Sequence, residues 1–184
     1  CDQYFPVAPP LRDGESFLEL TRQNLGPLAR HVDLRPCLFP EHLATGEARA
    51  IYPEAAPIGV VFVDCAKDWG VSRTLMEVFA PHLIPGRSLL IEQDFKHHWT
   101  FWRPLHLRAW RECFRPIHEI VEGWTIAFEY TGGWTPDLAE RAPMPEDFTT
   151  PIQINAAWSG VYSYWRSQGH LTGTGERTAL LMRL

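Results

Sequence analysis

The sequence contains no long hydrophobic run, and this absence limits where the protein can work. No window approaches the roughly 18 consecutive apolar residues that a membrane helix needs, and the start has no basic-then-apolar leader. We therefore expect a soluble, cytoplasmic protein with no membrane partner. The chain opens on Cys1 and not on an initiator Met, so we also expect that these residues begin inside a longer protein.

Cysteine and positive charge are also scarce. The four cysteines stand far apart without a CxxC pair, which is too sparse for a disulfide scaffold or a zinc knuckle. Acidic residues outnumber basic ones by 22 to 17, so the chain has no general attraction for phosphate backbones. We predict reduced thiols and no nucleic-acid partner.

Apolar residues, in contrast, are plentiful. Of the 184 residues, 45% are hydrophobic and 12% are aromatic, which suffices for one substantial core and excludes disorder for most of the chain.

The clearest pattern is a strand, helix, strand unit. The β-branched run 58–63 and the apolar run 88–91 predict buried strands, and Ser72 can cap a helix over 72–83 between them. Because the linking helix has about three turns, the two strands are expected to be parallel.

Other segments predict the remaining elements. Before this unit, we predict a helix that Ser16 caps and that ends near Gly26, then a short strand over 31–34. After it, we predict a helix over 105–114, an antiparallel hairpin of strands 117–121 and 125–130, and a last helix over 154–166.

These elements indicate an α/β fold: a Rossmann-like, doubly wound, mostly parallel sheet with an antiparallel C-terminal hairpin, incomplete at its N-terminus. We place this α/β domain in residues 1–133, with a C-terminal helical extension over 134–184 that packs on it.

Acidic residues follow both apolar strands. Since ligands bind at the carboxyl ends of strands in open α/β sheets, Asp64 and Asp94 should face one crevice. Two carboxylates and a sugar diol would suffice for Mg²⁺, with Asp68 or Gln93 as further ligands. Alternatively, Asp64 caps the following helix and Asp94 binds loop amides.

A histidine pair and several aromatic residues come next. His97 or His98 could take a proton from the hydroxyl of a bound substrate, or bind the metal. Alternatively, they form an exposed loop pair. Trp99, Phe101 and Trp102 could form an aromatic wall for a ligand, or belong to the core or a subunit contact. The arginines that follow indicate a solvated face or a site for a phosphorylated sugar: Arg103, Arg108, Arg111 and Arg115.

Three stretches resemble a known family. They are 61–69 (VFVDCAKDW), 79–88 (FAPHLIPGRS) and 90–95 (LIEQDF). They resemble the fourth-strand to fifth-strand region of class I S-adenosylmethionine-dependent methyltransferases, above all the sugar O-methyltransferase branch that includes macrocin-type enzymes. The opening CDQYF resembles the end of that family's second strand. The family's first strand, which lies between its second and fourth strands, and its Gly-rich loop have no counterpart here.

The resemblance implies a function. It implies S-adenosylmethionine as the cofactor, with Asp2, Asp64 and Cys65 near it, and a metal on Asp64 and Asp94 that orients the acceptor hydroxyls. Methyl transfer to a hydroxyl of a sugar or glycosylated small molecule would follow. Two alternatives remain open: a non-catalytic binding or assembly module of a larger glycan-modifying protein, and a metal-dependent hydrolase that uses Asp64, Asp94 and His97. A homo-oligomer is also compatible with the sequence.

Overall fold

A computed structural model describes residues 16–34, 56–66, 68–97, 100–120 and 124–170. The chain divides into two compact units, Cys1–Leu38 and Phe39–Leu184. No helix in the described ranges is both long and apolar enough to cross a membrane. The predicted division at residues 133 and 134 stays a prediction.

The first unit contains helix α1 (Phe17–Leu25), which begins as predicted. Ser16 accepts a hydrogen bond from the Glu19 amide, and the Glu19 side chain accepts one from the Ser16 amide. Gly26, at φ 51°, ends the helix. The strand predicted over 31–34 is wrong: a 3₁₀-helix covers Gly26–His31, and Pro27 suits its first turn.

The second unit is built on an open sheet of four strands: β1 (Val60–Val63), β2 (Leu89–Glu92), β3 (Phe114–Ile120) and β4 (Thr125–Tyr130). Their order is β1-β2-β4-β3. β1 and β2 are parallel, and the other two pairings are antiparallel. The predicted α/β class and C-terminal hairpin are confirmed, and in the described sheet one pairing of three is parallel.

Among the described residues, four α-helices accompany the sheet: α2 (Trp69–Phe79), α3 (Trp102–Ala109), α4 (Pro136–Glu140) and α5 (Pro151–Ser167). The prediction that Ser72 caps the first of them is wrong. Asp68 is the cap, because its Oδ1 accepts hydrogen bonds from the Gly70 and Val71 amides at 2.7 and 3.3 Å. The helix predicted over 105–114 begins and ends earlier, since the chain from Phe114 onward joins the sheet.

The core lies on one face of the sheet. Leu90, Ile126 and Phe128 have no exposed surface, and they belong to one cluster with Trp165 of α5. Phe128 and Trp165 have ring centroids 5.7 Å apart. The helices of this unit therefore pack on that face in the part of the chain that the structure describes.

The opposite face and the outer edge of β1 are apolar but open among the described residues. Val60 and Phe62 share the opposite face and are 55% and 58% exposed. Leu89 and Gln93 of the β2 side donate to Gly59 and Val63, so the backbone groups of Val60 and Phe62 point to the outer edge. A groove of about 350 Å³ runs along this edge, lined by Ile58, Val60, Val61, Phe62, Leu75 and Phe79.

Candidate functional site

The two strand-end acidic residues, Asp64 and Asp94, both line one small cleft. Asp64 directly follows β1, and Asp94 follows β2 by two residues. The cleft has about 10 Å³ for the centre of a water molecule, which is room for one water. Its walls are Val63, Asp64, Ala66, Glu92, Gln93, Asp94, Thr100 and Arg103. Both acidic residues therefore line one small cleft at the carboxyl ends of the two parallel strands.

Asp94 is held in an unusual backbone conformation. Its φ is 58°, in the left-handed region that few residues other than Gly, Asn and Asp adopt. The Thr100 hydroxyl donates to the Asp94 carbonyl at 3.0 Å, and the His97 amide donates to the same oxygen at 2.8 Å. This turn directs the chain from the end of β2 around the cleft, and such strain is concentrated at functional sites.

The other predicted oxygen ligands divide between the cleft and a helix end. Gln93 lines the cleft. Asp68 instead caps α2 through its own carboxylate, which is the role the sequence also left open for Asp64. In the described part of the chain, no group of three His, Cys, Asp or Glu side chains is arranged to hold a metal ion. A cation at Asp64 and Asp94 would need its remaining ligands from water or substrate.

A buried ion pair, Glu92 with Arg103, forms part of the cleft wall. Glu92 has no exposed surface and Arg103 is 2% exposed. The Arg103 Nε donates to Glu92 Oε2 at 2.9 Å, and its Nη2 pairs with Oε1. Burial raises the pKa of the Glu92 carboxyl, and the Arg103 guanidinium opposes that rise.

The third nitrogen of Arg103 continues the network into α2 and α3. Nη1 donates to the Ser72 hydroxyl and, at 3.3 Å, to the Ser72 carbonyl. The Ser72 hydroxyl lies 2.7 Å from His106 Nδ1, and His106 Nε2 lies 2.8 Å from the Pro143 carbonyl oxygen. A carbonyl oxygen only accepts, so Nε2 carries the proton and Nδ1 accepts from Ser72. Every polar atom named in this hydrogen-bond network therefore has a partner.

His106 is neutral in this network. Burial, with the Arg103 charge, lowers the pKa of His106 to about 3. Its role is that of a hydrogen-bonded core histidine.

The stability of the protein should fall with acid because of His106. Between pH 7 and 5 the unfolded state takes up a proton on this residue while the folded state does not, which lowers the free energy of unfolding by about 2 kcal/mol. Urea titrations at the two pH values should show this loss in the wild type. They should show less of it in His106→Asn, which keeps an acceptor near Nδ1 and does not titrate. The exposed His118→Asn is the matched control and should behave like the wild type; equal losses in all three proteins would contradict the assignment.

The predicted histidine and cysteine site residues that the structure describes, His97 and Cys65, are not among the cleft walls. The ring of His97 lies against Trp124, with centroids 5.0 Å apart, and is not among the cleft walls. Cys65 is exposed, and desolvation by its surroundings raises the pKa of its thiol. A protonated thiol does not suit a nucleophile. His98 and Asp2 lie outside the described residues.

Aromatic side chains gather beside the cleft. Trp69 has ring-centroid distances of 5.3 Å to Phe101 and 5.5 Å to Trp102. The Trp102 indole donates to the Ala66 carbonyl at 3.1 Å, which ties the start of α3 to the segment after β1. All three rings are half-buried, so they form part of the packing around the cleft; Trp99 lies outside the described residues.

The predicted solvated arginine face is wrong for Arg103, whereas Arg115 is exposed but lies on a strand and not on the same helix. Arg103 is buried, and Arg115 lies on β3 and pairs with Glu129. The sequence reasoning also missed Glu92 and Ser72. A signal for Glu92 existed, because the two-residue period of a strand places it on the same face as Leu90, and a buried carboxylate requires a cation.

Comparison of the chain with protein-family models, with curated proteins and with solved structures finds no match.

Proposed function

We propose that the chain is the cleft-forming part of an S-adenosylmethionine-dependent O-methyltransferase that acts on a hydroxyl of a sugar or glycosylated small molecule. The observation that carries the proposal is that Asp64 and Asp94, each at the carboxyl end of one of two adjacent parallel strands, line one cleft. Ligands of open α/β sheets bind at such a place.

The edge of β1, along which no described strand runs, supports the same proposal. In the resembling enzymes another strand lies next to the counterpart of β1. Here the backbone groups of Val60 and Phe62 point to that edge, and an apolar groove of about 350 Å³ runs along it. The finer topology that we propose, a doubly wound sheet, requires such a neighbour.

The proposed chemistry is an in-line displacement. When bound, S-adenosylmethionine would supply a methyl group on a sulfonium: the acceptor oxygen would form a bond to the methyl carbon as the C–S bond breaks, the C–S electron pair would stay on sulfur, and the hydroxyl proton would go to a base. Asp64 and Asp94 are suited to accept hydrogen bonds from vicinal hydroxyls or, with Mg²⁺, to bind the cation that orients them. Asp64, which is exposed and lines the cleft, and His97 stay predicted bases.

Calorimetry of the full-length protein tests this function. We expect heat of binding with S-adenosylmethionine in the wild type. We also expect Asp64→Asn to lose methyl transfer by about tenfold or more, since the cleft then lacks a charged ligand. Asp68→Asn is the matched control: an asparagine still caps α2, so binding and transfer should be unchanged. Absence of both binding heat and methylated product in the wild type would overturn the proposal.

A methyltransferase-like binding module is the second candidate. The observation that favours it is the apolar, open groove at β1, which suits an assembly contact as well as a missing strand. A module predicts glycan binding without methyl transfer, and mutation of Asp64 would then leave every activity of the full-length protein unchanged.

A further inference from the structure

The buried ion pair of Glu92 and Arg103 in the cleft wall is not explained by stability alone. Removing two charges from water is costly, and apolar residues of similar volume often stabilise a core as well as a buried ion pair does. Glu92 and Arg103 nevertheless lie fully buried, and both contribute to the cleft wall.

The contacts of Arg103 join three elements around the cleft: the end of β2, α2 and its own helix α3. Arg103 stands in the first turn of α3, directly after the segment of Thr100. Its Nε and Nη2 bind Glu92, the last residue of β2, two residues before Asp94. Its Nη1 binds the hydroxyl and carbonyl of Ser72 in α2, the helix that follows Asp64.

A guanidinium is suited to this task because its donors have a fixed planar geometry. When all three nitrogens are occupied, the end of β2 and the starts of α2 and α3 hold fixed positions relative to one another. Ser72 is oriented in turn by His106, whose other nitrogen donates to the Pro143 carbonyl. These hydrogen bonds restrict the side-chain rotamers of every residue in this network.

We propose that Arg103 is the positioning residue of the cleft, which holds the strand end that carries Asp94 at a fixed place relative to α2 and α3. This role rests on the proposed function for its catalytic meaning. Arg103 itself does not react; it acts through Glu92 and Ser72 on the geometry of the two carboxylates.

Hydrogen exchange in the double variant Glu92→Met/Arg103→Met tests the role. The variant fills the space with apolar groups and leaves no unpaired charge. We expect the amides of His97 and Thr100, bonded to the carbonyls of Asp94 and His97, to exchange faster by about tenfold or more. Amides of Leu90 and Phe128 in the sheet should be unchanged. Unchanged exchange at His97 and Thr100 would overturn the positioning role.

A second variant and a kinetic measurement complete the test. Ser72→Ala keeps both charges and removes one contact of Arg103; if the double variant does not fold, an increase of about threefold at the same two amides supports the role and no increase overturns it. In the full-length enzyme, the double variant should lower kcat by about tenfold with little change in the KM for S-adenosylmethionine. A wild type that transfers no methyl group refutes the proposed function, whereas the exchange rates still decide whether Arg103 positions the cleft.

Discussion

Arg103→Met alone is expected to lower the free energy of unfolding by about 3–5 kcal/mol at pH 7, because it leaves the Glu92 carboxylate buried without its partner. The double variant Glu92→Met/Arg103→Met should recover most of that loss, since it removes both charges. Urea titrations of the wild type and the two variants measure the difference. A single variant as stable as the double one would show that the buried charge has no cost.

The deficit of Arg103→Met should also depend on pH. Without Arg103, burial raises the pKa of Glu92 above its ordinary value of 4.5. The folded state then favours the neutral carboxyl. The destabilising effect of the Glu92 charge is therefore absent below the pKa of Glu92 in the unfolded state and grows as the pH rises toward its pKa in the folded state. We expect a smaller difference from the wild type at pH 4 than at pH 7. Arg115→Met is the control: Arg115 is 68% exposed in its pair with Glu129, so the loss should not exceed about 1 kcal/mol.

Local patterns predicted the elements better than their ends. The strand Val60–Val63 was predicted from an unbroken apolar run, and the strand Thr125–Tyr130 from the spacing of a hairpin. The predicted burial of the first strand is wrong for one face, because Val60 and Phe62 are exposed there among the described residues. The start of α2 was not predicted correctly, because Asp68 and Ser72 can both cap a helix and only the fold decides between them. Ser72 lies inside α2, and its hydroxyl bonds Arg103 and His106, which are over 30 residues away in the sequence.

The site shows the same division between local and distant information. The meeting of Asp64 and Asp94 follows from a general rule about the ends of parallel strands, so the sequence could predict it. The pairing of Glu92 with Arg103 depends on how α3 crosses the sheet, and no local spacing contains that information. A run of four arginines indicated one surface, yet its first member is the most buried cation of the cleft wall. The contact of the His97 ring with Trp124 is likewise not visible in the local sequence, because the hairpin places the Trp124 ring beside His97.

Replacing Asp94 should abolish most of the proposed methyl transfer, and two substitutions separate its carboxylate from its backbone. We expect Asp94→Gly and Asp94→Ala both to reduce transfer by about 100-fold, because the acceptor loses one of the two carboxylates that orient it. The free energy of unfolding should be higher for Asp94→Gly than for Asp94→Ala. Glycine adopts φ 58° without a penalty, whereas alanine is strained there by about 1 kcal/mol.

Asp94→Asn is the third member of this series, because asparagine tolerates the left-handed conformation and keeps a side-chain oxygen. It should match the wild type in thermal stability and still lose transfer, since only the charge has been removed. If Asp94→Gly retained full transfer, the turn at this position would be needed for its shape alone. The carboxyl end of β2 would then not supply the ligand that the cleft requires, and the assignment of Asp64 and Asp94 as a pair would fail while the buried network below them remained.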